Sequence, residues 1–273
     1  MDSSLKPIDR SRLRIYLGKK FYRLKRYAAW YTDSNTYAKH KMNEKLPFTR
    51  FRHQTPLMRQ LKDVDMWLQH NKVKNLKIAS DRVNGIILKP GETFSYWKLI
   101  GNTTKRKGYV DGMILHYGKV TVGTGGGLCQ LSNLIYWITL HTPLTVTERY
   151  RHSYDVFPDS KRNQPFGSGA TCAYNYLDLQ IKNETNHDFQ LVLELNDTHL
   201  IGEWRCEVPS TMKYKVYEKD HLITKEYWGG YVRHNTIYRK VYNGSGELID
   251  DEFVAENHAI MMYEPLLPAA EEA

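Results

Sequence analysis

The chain has 273 residues and a mass of 32.0 kDa, with 41% hydrophobic and 12% aromatic side chains, enough apolar surface for a sizeable core, which excludes a disordered chain. Its glycine and proline contents exclude collagen-like, low-complexity and repeat architectures, and Cys129, Cys172 and Cys206 have neither metal-ligand spacing nor the density of a disulfide scaffold. Of the net charge of +9, residues 1–52 hold 14 Lys and Arg against 4 Asp and Glu, so the basic balance belongs to an N-terminal arm and the body is close to neutral.

From Arg10 to Arg26 the arm has eight basic residues and no acid. Leu13, Leu17, Phe21, Leu24, Ala28 and Tyr31 recur at helical spacing, so residues 1–45 read as a basic amphipathic helical arm. Such a helix either docks on its own domain or lies on an anionic membrane, where each basic residue near the surface contributes about 1 kcal/mol. Nucleic acid is not expected as a partner, because the aromatics sit on the apolar stripe or cluster at Tyr27, Trp30 and Tyr31 and form no stacking platform. No stretch approaches the roughly 20 apolar residues of a membrane span, and the N-terminus lacks the apolar segment of a secretory signal. A cytoplasmic location, peripheral at the inner membrane face through the arm, is expected.

Beyond Pro47 and Pro56, helical patterns predict helices over Leu57 to His70 and Asn75 to Val83. The pattern then changes to turns and strands: Asn84-Gly85, Ile86 to Leu88, Lys89-Pro90-Gly91, and Glu92 to Trp97. Met113 to Val122 reads as a hairpin around Tyr117-Gly118-Lys119, feeding a glycine-rich loop at Gly123 to Gly127. A helix follows from about Leu128 to Leu140, bounded by Pro143. Strands are expected over Leu144 to Arg149, Ala170 to Asn183 and Phe189 to Leu195. Met212 to Glu256 alternates in β fashion with a turn at Asn243 to Gly246, and 265–273 reads as a flexible tail. The expected class is α+β, with a helical N-terminal third, a mostly antiparallel β body and one central helix carrying a cysteine at its N-terminus.

That cysteine lies in Thr124-Gly125-Gly126-Gly127-Leu128-Cys129-Gln130. Glycines permit φ > 0 and close backbone approach, and a helix N-terminus places N–H groups and partial positive charge beside the first turn. Both favour thiolate, and the same amides, over Gly125, Gly126, Gly127 and Gln130, suit an oxyanion. Against this stands a small core cysteine under a tight turn. The loop lacks the Lys-Ser/Thr of a P-loop and the spacing of a dinucleotide fold. A cysteine nucleophile needs a base, and His152, after the strand that follows the helix, is the candidate. His116 on the hairpin is another, whereas His141 lies at the far end of the helix. Neither a metal nor a cofactor is expected.

Six segments, PGETFS (90–95), GYVDG (108–112), GGGLCQLSN (125–133), LHTPL (140–144), ERYRHS (148–153) and LDLQIKN (177–183), occur in an order and spacing that resembles the VanW family. The resemblance covers about residues 46–206, leaving 207–264 as a β-rich C-terminal extension. It implies an association with glycopeptide (vancomycin) resistance and peptidoglycan metabolism. Larger members resemble cysteine-dependent L,D-transpeptidases that act on peptidoglycan stem peptides. On that likeness Cys129 is the nucleophile and His152 the base. The family commonly has Asp-Ala-Thr where this chain reads Gly169-Ala170-Thr171, so Asp178, or Asp155, would be the residue that orients the histidine. Two readings follow: a cysteine-dependent acyl transferase acting on a stem peptide or precursor, and a non-catalytic accessory or precursor-binding protein that keeps the fold.

Overall fold

Ser11 opens the first helix, its hydroxyl accepting the Arg14 amide at 3.3 Å, and α1 runs over Arg12–Thr32 without a buried residue. The computed structural model describes residues 10–58, 65–116, 118–156 and 164–265, so Tyr117 of the expected turn and nearly all of the expected tail lie outside the described residues. β1 (Thr36–Tyr37) and β2 (Phe48–Pro56) come next. The N-terminal third is therefore not wholly helical, because Phe48 to Pro56 alternates aromatic, basic and polar side chains as a strand does.

The two helices expected between 57 and 83 are one, α2 (Met66–Val83). Leu57 and Met58 are not helical, and 59–64 lie outside the described residues. Leu68, Lys72, Asn75, Ala79 and Val83 are buried at intervals of three and four, so one face continues across the expected break. β3 (Ile87–Leu88) and β4 (Glu92–Ser95) follow, and Ser95 caps the short α3 (Tyr96–Ile100) by accepting the Lys98 amide at 3.2 Å. β5 (Asp111–His116) and β6 (Lys119–Thr124) form the expected hairpin, turning at Gly118 with φ 73°. Next come α4 (Cys129–Thr139), β7 (Thr145–Glu148), β8 (Tyr154–Asp155) and β9 (Gln180–Lys182). The rest is β10 (Phe189–Leu195), β11 (His199–Cys206), β12 (Met212–Lys225), β13 (Tyr231–Asn243) and β14 (Leu248–Met261). Of the strand expected over 170–183, only β9 pairs within a sheet, and an isolated bridge joins Ala173 to Leu177.

Among the described residues the strands make three four-stranded sheets besides the β5–β6 hairpin, in the orders β1-β4-β9-β7, β2-β11-β10-β3 and β12-β13-β14-β8. All pairings are antiparallel except β1 with β4 and β8 with β14. Helix α4 sits at the centre. Its Leu131, Leu134, Ile135 and Ile138 are at most 1% exposed and belong to one core with Leu76, Phe94, Ile181, Leu191 and Trp204. The buried Trp204 indole on β11 donates to Thr139 Oγ1 at 2.9 Å, which satisfies a polar group that would otherwise be costly inside. The architecture is thus α+β.

Candidate functional site

The glycine run is set by packing on three sides. A Cβ on Gly126 would lie 2.2 Å from the Gly112 carbonyl carbon and 2.7 Å from the Met113 nitrogen, so the loop lies against the backbone of β5 and only glycine fits. Gly127 has φ 90°, and a side chain there would meet the buried Lys72 stem of α2 at 2.3 Å. From the same helix the fully buried Asn75 donates to the carbonyls of Gly126 and Val110, both at 3.0 Å, and accepts the Val110 amide at 2.9 Å. Within the loop, Gly125 N–H donates to Val110 O at 2.9 Å, Gly126 N–H to Gly123 O at 3.1 Å and Gln130 N–H to Gly127 O at 3.2 Å. These three amides, proposed for an oxyanion, therefore already hold the turn. The Gln130 side chain points elsewhere, donating to Thr55 Oγ1 and Pro56 O, both at 2.9 Å, and so pins the end of β2.

Cys129 is the first residue of α4 and half-buried. Burial pushes its thiol above the ordinary range, opposed in part by the backbone of Cys172 and of Cys129 itself. The second cysteine of this pair comes from the irregular 170–177 segment. Ser132 and Asn133 hold that segment: the Ser132 hydroxyl donates to Ala170 O at 2.7 Å, and Asn133 Oδ1 accepts the Ala170 amide at 2.8 Å. Burial, then Asp178 and Cys129, raise Cys172 well above a normal thiol. Tyr96 closes the floor of this site. It is fully buried, held neutral far above its usual range by burial, and its hydroxyl donates to the carbonyl of Leu128 at 3.0 Å.

Asp178 lies behind the cysteines with no exposed surface. It accepts from Ser95 Oγ at 2.5 Å, from the Trp97 amide at 2.9 Å and from the Leu179 amide at 3.0 Å. Burial nevertheless raises its pKa to about 6, against the pull of the Ser95 and Trp97 bonds. Its oxygens are thus committed to the start of α3, and His152 is not among its partners. Asp155 accepts from Arg233 Nη1 at 3.4 Å and from the Tyr263 hydroxyl at 2.8 Å, so it too is engaged away from His152.

His152 is half-buried on the segment between β7 and β8, and burial followed by the Arg151 guanidinium lowers its pKa. The structure brings together Cys129, Cys172, Tyr96 and Asp178. His141, at the far end of α4, stacks on Phe51 with ring centroids 3.8 Å apart and bonds Trp137 O through Nδ1 at 3.0 Å; burial lowers its pKa to about 4. The His116 side chain lies outside the described residues. At Gly169 a Cβ would lie 2.6 Å from Asn133 Oδ1, so Asn133 occupies the space in which an aspartate side chain would begin. The neighbouring Arg149 grips this segment, its Nε donating to Gly169 O at 2.9 Å. Among the described residues no group of three or more His, Cys, Asp or Glu side chains could hold a metal ion, and no helix is long and apolar enough to cross a membrane.

An α+β domain whose central helix begins on a cysteine, behind a glycine turn and beside a second cysteine, is the class this site defines. Residues 71–205 match the family described as "VanW like protein", and the chain belongs to the VanW family. It is 34% identical over 237 residues to the "Vancomycin B-type resistance protein VanW" of Enterococcus faecalis (strain ATCC 700802 / V583), an alignment covering 87% of this chain and 86% of that protein. It is also 29% identical over 153 residues to the "Uncharacterized protein YoaR" of Bacillus subtilis (strain 168), covering 56% of this chain and 49% of the relative. No solved structure matches.

Proposed function

We propose that this protein takes part in glycopeptide (vancomycin) resistance by acting on a peptidoglycan stem peptide or its precursor through Cys129. Its relation to the Enterococcus faecalis resistance protein extends over most of both chains and supports the association. For the chemistry, the supporting observation is the place of Cys129 as the first residue of α4, behind the glycine turn, because the N–H groups and partial positive charge of a helix start favour the thiolate that attacks. Acyl transfer then balances as follows. The thiolate attacks an amide carbonyl of the donor peptide and the C–N bond breaks. The leaving amine takes the proton that His152 removed from the thiol. A second amine, or water, displaces the thiolate from the thioester. In this scheme the 149–153 segment brings the imidazole to the sulfur when substrate binds, as catalytic contacts often tighten only in the complex.

The competing reading is a non-catalytic accessory or precursor-binding protein. Two observations favour it: burial dominates at the Cys129 thiol, and both candidate orienting carboxylates bind other partners. Mass spectrometry after incubation with an acyl-donor muropeptide separates the two. The first reading requires an acyl adduct on Cys129 and loss of the resistance phenotype in Cys129→Ala. Absence of the adduct under conditions that acylate a known cysteine transpeptidase, with resistance retained by the variant, establishes the second.

A further inference from the structure

Helix α1 has two faces with different fates. Its C-terminal half is fastened to the body. Arg26 Nη1 donates to Glu148 Oε2 at 2.7 Å, Tyr27 and Tyr174 share a hydroxyl hydrogen bond of 2.6 Å, and Lys98 donates to Trp30 O at 3.1 Å. The Arg23 guanidinium lies over the Tyr174 ring, 5.0 Å from its centroid. At about 100° per residue, Arg23, Arg26 and Trp30 lie across the helix from Leu17 and Phe21, with Tyr27 at the border. The apolar stripe therefore points away from the domain. Leu13, Leu17, Phe21 and Leu24 are 67%, 55%, 62% and 68% exposed. Arg14 and Lys25 edge the stripe beside Phe21, and Lys20 edges it beside Leu13.

We propose that this outward face of α1 seats the protein on an anionic lipid bilayer, the apolar stripe entering the headgroup boundary and the flanking cations meeting lipid phosphates. Charge decides the occupant. Eight basic residues and no acid between Arg10 and Arg26 favour a negative surface. A second copy of this chain would bring eight like charges against them. A nucleic acid would use the charges and leave the stripe in water. The Arg26–Glu148 attachment on the opposite side fixes the helix while that face remains open. The proposal stands apart from the chemistry at Cys129.

Vesicle co-sedimentation tests it, with the full chain, at low salt, comparing vesicles of equal parts phosphatidylcholine and phosphatidylglycerol with phosphatidylcholine alone. The protein should pellet with the anionic vesicles, stay in solution with the neutral ones, and be released by high salt. Each cation contributes about fivefold, so Arg14→Gln, Lys20→Gln and Lys25→Gln together should lower partitioning about a hundredfold. Leu17→Gln with Phe21→Gln should weaken it as well, with the helical circular-dichroism signal unchanged in both variants. Equal recovery in solution with both vesicle types overturns the proposal, as does undiminished pelleting of the triple variant. A dimer seen by sedimentation velocity and broken by Leu17→Gln with Phe21→Gln would assign the stripe to a second copy and likewise overturn it.

Discussion

At Asp178 the loss of water outweighs the hydrogen bonds that favour its charge. The folded pKa of about 6 exceeds the roughly 3.9 of an unfolded aspartate, so the native state holds this proton the more tightly. The stability gained is complete below about pH 4 and is lost as pH rises through about 6, a change of about 3 kcal/mol. Arg26 and Glu148 also face this carboxyl, the first favouring its charge and the second opposing it. In Asp178→Asn that titration is gone. Relative to the variant, the wild type should therefore lose stability between about pH 4 and pH 7, as read by denaturant melts across that window. A constant difference would show that the carboxyl is ionised throughout. The place of Cys129 at a helix start was legible in the sequence, because three glycines followed by a periodic apolar run leave few alternatives. The approach of Cys172 was not. It rests on Ser132 and Asn133 reaching from α4 to the Ala170 backbone, a tertiary contact without a local pattern.

Among the elements, α1 is joined to the body by an ion pair as well as by its aromatic contacts. Arg26 and Glu148 side chains are 13% and 19% exposed, and Glu148 Oε1 also accepts the Asp178 amide at 3.3 Å. Glu148→Gln should weaken the attachment by about 1 to 3 kcal/mol. Hydrogen exchange should then accelerate over residues 22–31 while the α2 amides keep their protection; unchanged exchange in the arm would mean that its aromatic contacts suffice. The helical spacing of the arm was readable, but which side it would present to the domain was not, since the fastening residues are the arginines and aromatics rather than the leucines. The β5–β6 hairpin and α4 followed their periodicity closely. β2 escaped notice because its aromatic and basic residues alternate between prolines. β11 did so because the short run from His199 to Cys206 is buried almost throughout and lacks a period of two.

For the whole molecule, the decisive junction is between the body and the long β12-β13-β14 ribbon. The body contributes β8 alone to that sheet, through Ile260 opposite Tyr154 and Met261 opposite Asp155. Asp155 and Arg233, 6% and 8% exposed, meet at this seam. Asn235 Nδ2 donates to Phe166 O at 2.6 Å, and Arg239 Nη1 donates to Thr142 O at 3.0 Å. Asp155→Ala removes a buried carboxylate that both Arg233 and Tyr263 contact, at a cost of roughly 3 kcal/mol. A lowered urea midpoint is expected, and a midpoint equal to that of the wild type would show that the other partners of Arg233, among them His221, which accepts from Arg233 Nε at 2.9 Å, suffice to support the cation. The β character of this region was plain from its alternation, whereas its pairing with two residues from the middle of the chain could not be read from any stretch of sequence alone.

β8 begins two positions after His152, and among the described residues it pairs only with the ribbon. The imidazole is thus tethered to the C-terminal strands and the thiol to the central helix. The pairing of Ile260 and Met261 with β8 therefore bears directly on where the histidine sits.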